Sequence, residues 1–587
     1  MKPLSISLLL LLGLALTANS QAQDDPIPLR ARAALRQNCW RCHNGPSSEG
    51  GDVDFLSAKA LTEGKLVEPG KPDASRIIER IAANEMPPRE ITERPSAADG
   101  EAIRAWIAAG AKEFPQEATR KFITLEQVMK AMLDHLEKAD RQDRNYLRFF
   151  TLHQLYNNPR TVEEDLPLYR AALSKALNSL SNKPRIVLPK PVGDAKELFD
   201  TVFVIDLRDY DWDRTNAWQR ILSQYPYGYL YEEQRSESLK DLEEQIGRLT
   251  RARISLVRAD WFVTTATRPP LYHEILGIPA HTKTLEQAQN VQIAESFLKP
   301  SPERIARAGY AKSGISGQNR MVERHESSHG AYWKSYDFKP DRGRGKLTRF
   351  PLGPLNLFPK GKHPFEAQAF VHDGGEIIFS LPNGLQGYML TDGEDRRIDA
   401  GPIEVVSDSL KTSGTSLIVN GVSCMACHKH GMIRLTDTIR DGNSVFGDVE
   451  EQVRRLYPEK SKMDELLDRD ERRFMEALDK AIGSLLRVGL DKDKPLKEFP
   501  EPIGAIARLH RNVYLDAATI ACELDIEKPD DIVKKVGEQK LKQLGLDAVF
   551  AGKAFISRAE WEAFDGISLA QELGRELSLV PYRPQGP

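Results

Sequence analysis

Asn38-Cys39-Trp40-Arg41-Cys42-His43, near the start of the chain, and Ser423-Cys424-Met425-Ala426-Cys427-His428, nearly 400 residues later, are two copies of one pattern, Cys-x-x-Cys-His. Two thiols three residues apart can each add to one vinyl group of a haem. The histidine that follows directly then lies under the iron and donates an imidazole nitrogen. A thioredoxin-like redox pair or half of a zinc site would use the same cysteine spacing. Neither calls for a histidine directly after the second cysteine, and both copies have one. The expected cofactors are therefore two haem c groups. Cys39, Cys42, Cys424 and Cys427 form the attachment, and His43 and His428 ligate iron.

The rest of the composition fits this reading. The chain has 587 residues, 40% hydrophobic and 28% charged, an ordinary globular balance. A formal net charge of -3 gives no basic field for nucleic acid. Lys2, the apolar run Leu4 to Ala18 and the small residues of Ser20-Gln21-Ala22 read as a leader peptide, residues 1–22, cleaved after Ala22. The run is short for a membrane span, and no later segment is long and apolar enough for one. The mature protein is thus expected to be exported, most simply to a periplasm, with no transmembrane segment. Four of the five cysteines belong to the two motifs; Cys522, inside Ala-Ala-Thr-Ile-Ala-Cys, reads as a small buried residue.

Around the first motif, residues 30–38 read as a short entering helix and Gly45–Gly51 as a loop. Residues 75–84 have helical spacing through Ile77, Ile78 and Ile81. Met86-Pro87-Pro88 follows. A thioether held by a double proline is a candidate sixth iron ligand, and His/Met ligation raises the reduction potential. The alternative for Met86 is a gap-filling core methionine. Ser96 is placed to cap a last helix that buries Ile103, Trp106 and Ile107 and stops at Gly110.

Cys39-x-x-Cys42-His43, Pro69-Gly70-Lys71-Pro72-Asp73-Ala74-Ser75, Met86-Pro87-Pro88 and the run Ala105 to Ala111 together resemble the small cytochrome c domain common in planctomycetes and related bacteria. The resemblance covers residues 30 to about 113. It implies a class I-like fold of a few helices around one haem, electron transfer, and Met86 as the ligand across the iron from His43.

The second motif has other surroundings. Two strand-like runs flank Pro382-Asn383-Gly384 between Glu376 and Gly393, a hairpin signature. Another β-like run, Ile403 to Val406, precedes Cys424. Residues 200 to 440 are similar to multidomain diheme cytochromes that pair such a hairpin with a second haem motif. The sixth ligand of this haem is open. His430 and Met432 sit too close to His428 in sequence to reach the opposite face. His372, His325 and His329 are the distant candidates. His325 and His329 are spaced to share one helix face, as metal ligands can be. Hydrogen-bonded or exposed histidines are the plainer reading of each.

The fold expected is mainly α with a mixed α+β central region. A cytochrome c domain spans 28–113, a mixed domain 118–445 ends at the second haem, and a helical domain spans 446–587. Phe122 to Glu137 and Leu168 to Leu180 carry helical spacing. The aromatic run Tyr210, Trp212, Trp218, Tyr225, Tyr227, Tyr229 and Tyr231 reads as packing, or as a sugar-binding or electron-relay surface. Residues 338–363 read as an exposed loop. The functional expectation is electron transfer to a redox partner protein. A peroxidase- or oxidase-like enzyme acting at the second haem and a haem-based sensor or envelope-binding protein are the alternatives.

Overall fold

The computed structural model describes residues 26–40, 42–43, 51, 53–88, 94–114, 120–313, 316–339, 343–403, 406–512, 514–563 and 566–582. The expected leader, most of the loop 45–51 and part of the run 403–406 lie outside the described residues. The chain forms two compact units, residues 1–116 and 117–587.

The first unit holds α1 (Pro26–Leu35), α2 (Ala58–Glu63), α3 (Arg76–Ala82) and α4 (Ala97–Ala108). Ser96 starts α4 with a full capping box. Its hydroxyl accepts from the Asp99 amide, and the Asp99 carboxylate accepts from the Ser96 amide. Such a cap contributes about 1 kcal/mol. Ile103, Trp106 and Ile107, spaced by three and one, are completely buried with Leu35 and Leu61. The chain turns away at Gly110, whose φ of +96° suits glycine. Just beyond, Glu113 accepts from the amides of Ala58 and Lys59 and so satisfies the open start of α2. Unit 1 is thus closed by both its apolar stripe and its caps.

In the second unit the helices used below are α5 (Leu125–Lys138), α6 (Leu166–Ser179), α7 (Glu237–Thr250), α8 (Val422–Cys427), α9 (Lys460–Leu478) and α10 (Pro502–Asn512). The strands are β1 (Leu147–Thr151), β2 (Lys190–Pro191), β3 (Val202–Asp206), β4 (Tyr229–Tyr231), β5 (Leu256–Arg258), β6 (Ile305–Ser313), β7 (Ser316–Ser327), β8 (Gly330–Asp337), β9 (Gly374–Ser380), β10 (Gln386–Asp392), β11 (Arg397–Ile398) and β12 (Leu579–Pro581). They make a four-stranded sheet in the order β2-β3-β1-β5, an antiparallel six-stranded meander in the order β11-β10-β9-β8-β7-β6, and the pair β12-β4.

α6 is buried on every side from Ala171 to Ser179, so its one lysine had to find a partner inside. Lys175 lies 2.7 Å from Glu501, each about 3% exposed. Glu501 also accepts from the amides of Ile503 and Gly504, at the start of α10. Breaking a buried pair on one side leaves an uncompensated charge; here it would also uncap a helix.

Residues on both sides of position 445 share one hydrophobic cluster, which runs through Phe150, Trp218, Ile378, Phe474, Ile506 and Trp561. The chain's last strand pairs with β4. The Tyr227 hydroxyl donates to Glu562, and that of Tyr229 to the Ala570 carbonyl. The first part of the aromatic run is packing. Trp212 and Trp218 donate to the carbonyls of Leu180 and Ile254 from full burial. The expectation of an exposed loop at 338–363 holds for residues such as Lys346, Arg349 and Lys360 to Lys362 and is corrected for the apolar ones. Leu347 and Leu352 are buried with Phe338 and Tyr457 in a separate apolar cluster, because their side chains cover the outer strands of the meander. Cys522 is buried, and burial pushes its thiol up to about 12.

Candidate haem-binding centres

At the first motif, α1 runs into a wider π-type turn, Arg36–Trp40. The amides of Cys42 and His43 both donate to the Cys39 carbonyl, each at 3.1 Å. The motif therefore coils over a single oxygen, with a half-buried cysteine at each end of the turn. Trp40 donates to Asp54 at 3.0 Å, and the Phe55 amide donates to the His43 carbonyl at 2.9 Å. The His43 ring stacks on Phe55 at 4.2 Å between centroids. Phe55 belongs to the unit's core, so the core fixes the plane of the imidazole.

Met86 leaves α3 through an amide bond to the Arg80 carbonyl at 3.2 Å. The Arg94 guanidinium holds the next two carbonyls, those of Pro87 and Pro88. The Met86 side chain is 39% exposed, although the helix it follows is anchored in the core. A core-filling methionine would be buried. At this exposure Met86 does not fill the core.

The second motif forms α8. Gly421 precedes it with φ +83°, and a Cβ there would stand 2.4 Å from the Thr267 carbonyl oxygen. Glycine is what lets α8 start this close to its neighbours. The His428 amide donates to the Cys424 carbonyl at 2.8 Å, the same four-residue closure seen at His43 and Cys39. Cys424 is buried and Cys427 half-buried. His428 Nδ1 is 3.1 Å from the Gly431 carbonyl. A carbonyl only accepts, so Nδ1 carries a proton, and Nε2 is the atom turned toward the site, the orientation that metal-binding histidines use.

Nε2 faces Glu376 on β9, 3.6 Å away. Burial disfavours the charge on this carboxyl, but the adjacent His428 ring and Arg320 outweigh it and hold it down at about 2. Burial, reinforced by Glu376, pushes the Cys424 thiol well above its usual range. Tyr388 on β10 lies 6.2 Å from the His428 ring.

The meander sorts the remaining histidines. Side chains alternate between the faces of a strand. Register places Glu376 and Tyr388 on the same face as Trp333 and Arg324, with Asp337 and Arg320 further along it. His325, Glu323, Tyr332 and Tyr336 occupy the opposite face. His325 Nδ1 donates to the Arg304 carbonyl at 3.2 Å, and its Nε2 is 3.3 Å from Glu323. His372 packs edge-on against Tyr336 at 5.0 Å, also on that far side. Burial lowers it to about 4. The sheet therefore stands between His428 and both His325 and His372. The helix expected to carry His325 and His329 is corrected to a strand and its turn. β7 continues to Ser327, and His325 pairs with Tyr332 across the hairpin.

The spacing of the motifs identified both cysteine pairs and their histidines. It gave no hint of Glu376, because an acid in a strand looks solvent-facing until the fold buries it. The hairpin turn was the available signal, since it fixed which residues of β9 share a face.

Residues 39–90 match the family model described as Planctomycete cytochrome C. No curated protein and no solved structure matches the chain. The match carries a haem-binding, electron-transfer cytochrome c domain into the first unit.

Proposed function

We propose that this chain, with its cytochrome c region at 39–90, is an exported diheme electron-transfer protein. The observation that carries the reading is the shared closure of the two motifs. His43 and His428 each donate their amide to the carbonyl of the first cysteine, in unrelated surroundings. Cys39 and Cys42 would hold the first haem, with His43 and Met86 as its candidate iron ligands. Cys424 and Cys427 would hold the second, with His428 as ligand and its ring oriented by the Gly431 carbonyl. Haem iron supplies one-electron redox chemistry at each centre. The chain's own residues attach it, orient the imidazoles and set the charge nearby. Export rests on the leader-like residues 1–22. Among the described residues no helix is long and apolar enough to cross a membrane.

A second reading, catalysis at the second haem, is favoured by one observation. The meander keeps His325 and His372 on the face away from His428. A sixth position without a side chain would admit a small ligand such as peroxide. Carbon monoxide added to the reduced holoprotein separates the two. Electron transfer alone expects both haem spectra to stay unchanged. A carbon monoxide complex that disappears in Cys424→Ala/Cys427→Ala moves the chemistry to the second haem.

Glu376 sets a further expectation. Its carboxylate lies 3.6 Å from His428 Nε2, so a haem held there would sit beside a negative charge, which favours ferric iron. Glu376→Gln is therefore expected to raise the potential of the second haem in a spectroelectrochemical titration. An unchanged potential would show that the carboxylate is screened or displaced in the holoprotein.

A further inference from the structure

Far along the sequence from either haem motif, the second unit encloses a cleft of about 110 Å³ between α5, α7, β4 and the segment ending at Asp525. This volume approaches the roughly 150 Å³ of an apolar cavity that accepts benzene. One wall is apolar and soft: Leu125, Met129 and Met132 from α5 face Leu239 and Ile246 from α7. Methionine thioethers pack well against aromatic rings. The other end is polar and converges on Asp525.

The hydrogen bonds at that end give each group a direction. The Thr151 hydroxyl oxygen accepts from the His153 amide at 3.1 Å and shares a second hydrogen bond with His153 Nδ1, 2.7 Å away. The other ring nitrogen, Nε2, faces Asp525 at 3.8 Å. Asp525 accepts from the Leu125 amide at 2.9 Å. Burial raises its carboxyl to about 7 and lowers His153 to about 3. Tyr225, Tyr227 and Tyr229 have their hydroxyls bonded to protein. The Tyr231 hydroxyl, beside Asp525, makes no hydrogen bond among the described residues.

The charges around the cleft are mixed. Glu243 and Asp525 oppose an anion; Arg235 and Arg258 oppose a cation. An apolar pocket with one donor-acceptor end and balanced charge selects a neutral molecule. We propose that this cleft is a binding site for a small phenol, its ring against the methionines and its hydroxyl between Tyr231 and Asp525. The hydroxyl of such a ligand donates to Asp525 and accepts from Tyr231. This site stands apart from the haem chemistry and does not depend on it.

Gly247, in α7, lines the cleft, and an added Cβ there meets only the Ala252 carbonyl, at 3.4 Å. Gly247→Leu therefore favours the helix while filling the cleft. Phenol, benzoate and benzylammonium are titrated into the holoprotein by calorimetry. Phenol is expected to bind saturably with one site, at least ten-fold tighter than either ion. Gly247→Leu should remove that binding, and Tyr231→Phe should weaken it about five-fold, the effect of one neutral hydrogen bond. Absence of saturable phenol binding overturns the proposal. So does equal binding of either ion, or unchanged binding in a folded Gly247→Leu protein. If Gly247→Leu fails to fold, Tyr231→Phe decides: unchanged affinity there overturns the hydroxyl's place.

Discussion

Met86→Ala is expected to leave the first haem on the chain and lower its reduction potential by on the order of 100 mV. Attachment depends on Cys39 and Cys42, which the change does not touch. A thioether favours ferrous iron, and a water or an empty position in its place does not. Met86 is already 39% exposed, so truncating it removes little packing, and surface changes of this kind usually stay within about 0.5 kcal/mol. The variant therefore isolates ligation from folding. Spectroelectrochemistry and carbon monoxide binding read the outcome together. The potential falls, and the reduced haem gains an affinity for carbon monoxide. If both stay as in the parent protein, another group lies across the iron from His43.

Gly375→Ala is expected to cost about 3 kcal/mol or more, and to be felt at the second haem first. A Cβ at this position stands 2.0 Å from the Ser335 carbonyl oxygen on the next strand. A backbone atom cannot rotate aside as a side-chain end can, so β8 and β9 must part. Overpacking alone typically costs 1–3 kcal/mol. Here the shift also strains the bond from the Glu376 amide to the Ser335 hydroxyl, 2.8 Å in the parent. Glu376 would then lose its place beside His428. The core of the first unit, built on Trp106 and its neighbours, contains none of these residues. Thermal melting followed at both haem bands should show the second centre destabilised and the first unchanged. A variant that melts with the parent would mean that the strands accommodate the methyl group.

The local signals in the sequence were strong where one face of an element is wet. Ser96 announced the start of α4, and Ile103, Trp106 and Ile107 its buried side. Pro382-Asn383-Gly384 announced the hairpin of β9 and β10. β7 was misread because both of its faces are covered. Its polar side chains are paired across strands or to helices, Arg320 with Asp337, Arg324 with Asp470 and Glu323 with Arg307. Alternation of apolar and polar residues then vanishes, and the spacing of His325 and His329 mimics a helix face. The candidate residues of the first haem site all lie within one short segment, so local pattern could propose them. The second was legible only at α8. Glu376, Tyr388 and the separation of His428 from His325 and His372 depend on the register of strands distant in sequence, and no local pattern encodes it.

Haem at both motifs is read out by intact mass spectrometry of the exported protein beside Cys424→Ala/Cys427→Ala. The parent is expected at the mass of the mature chain plus two haems, and the variant at the mass plus one. A parent protein carrying a single haem, with the variant carrying the same one, would mean that the second motif binds none.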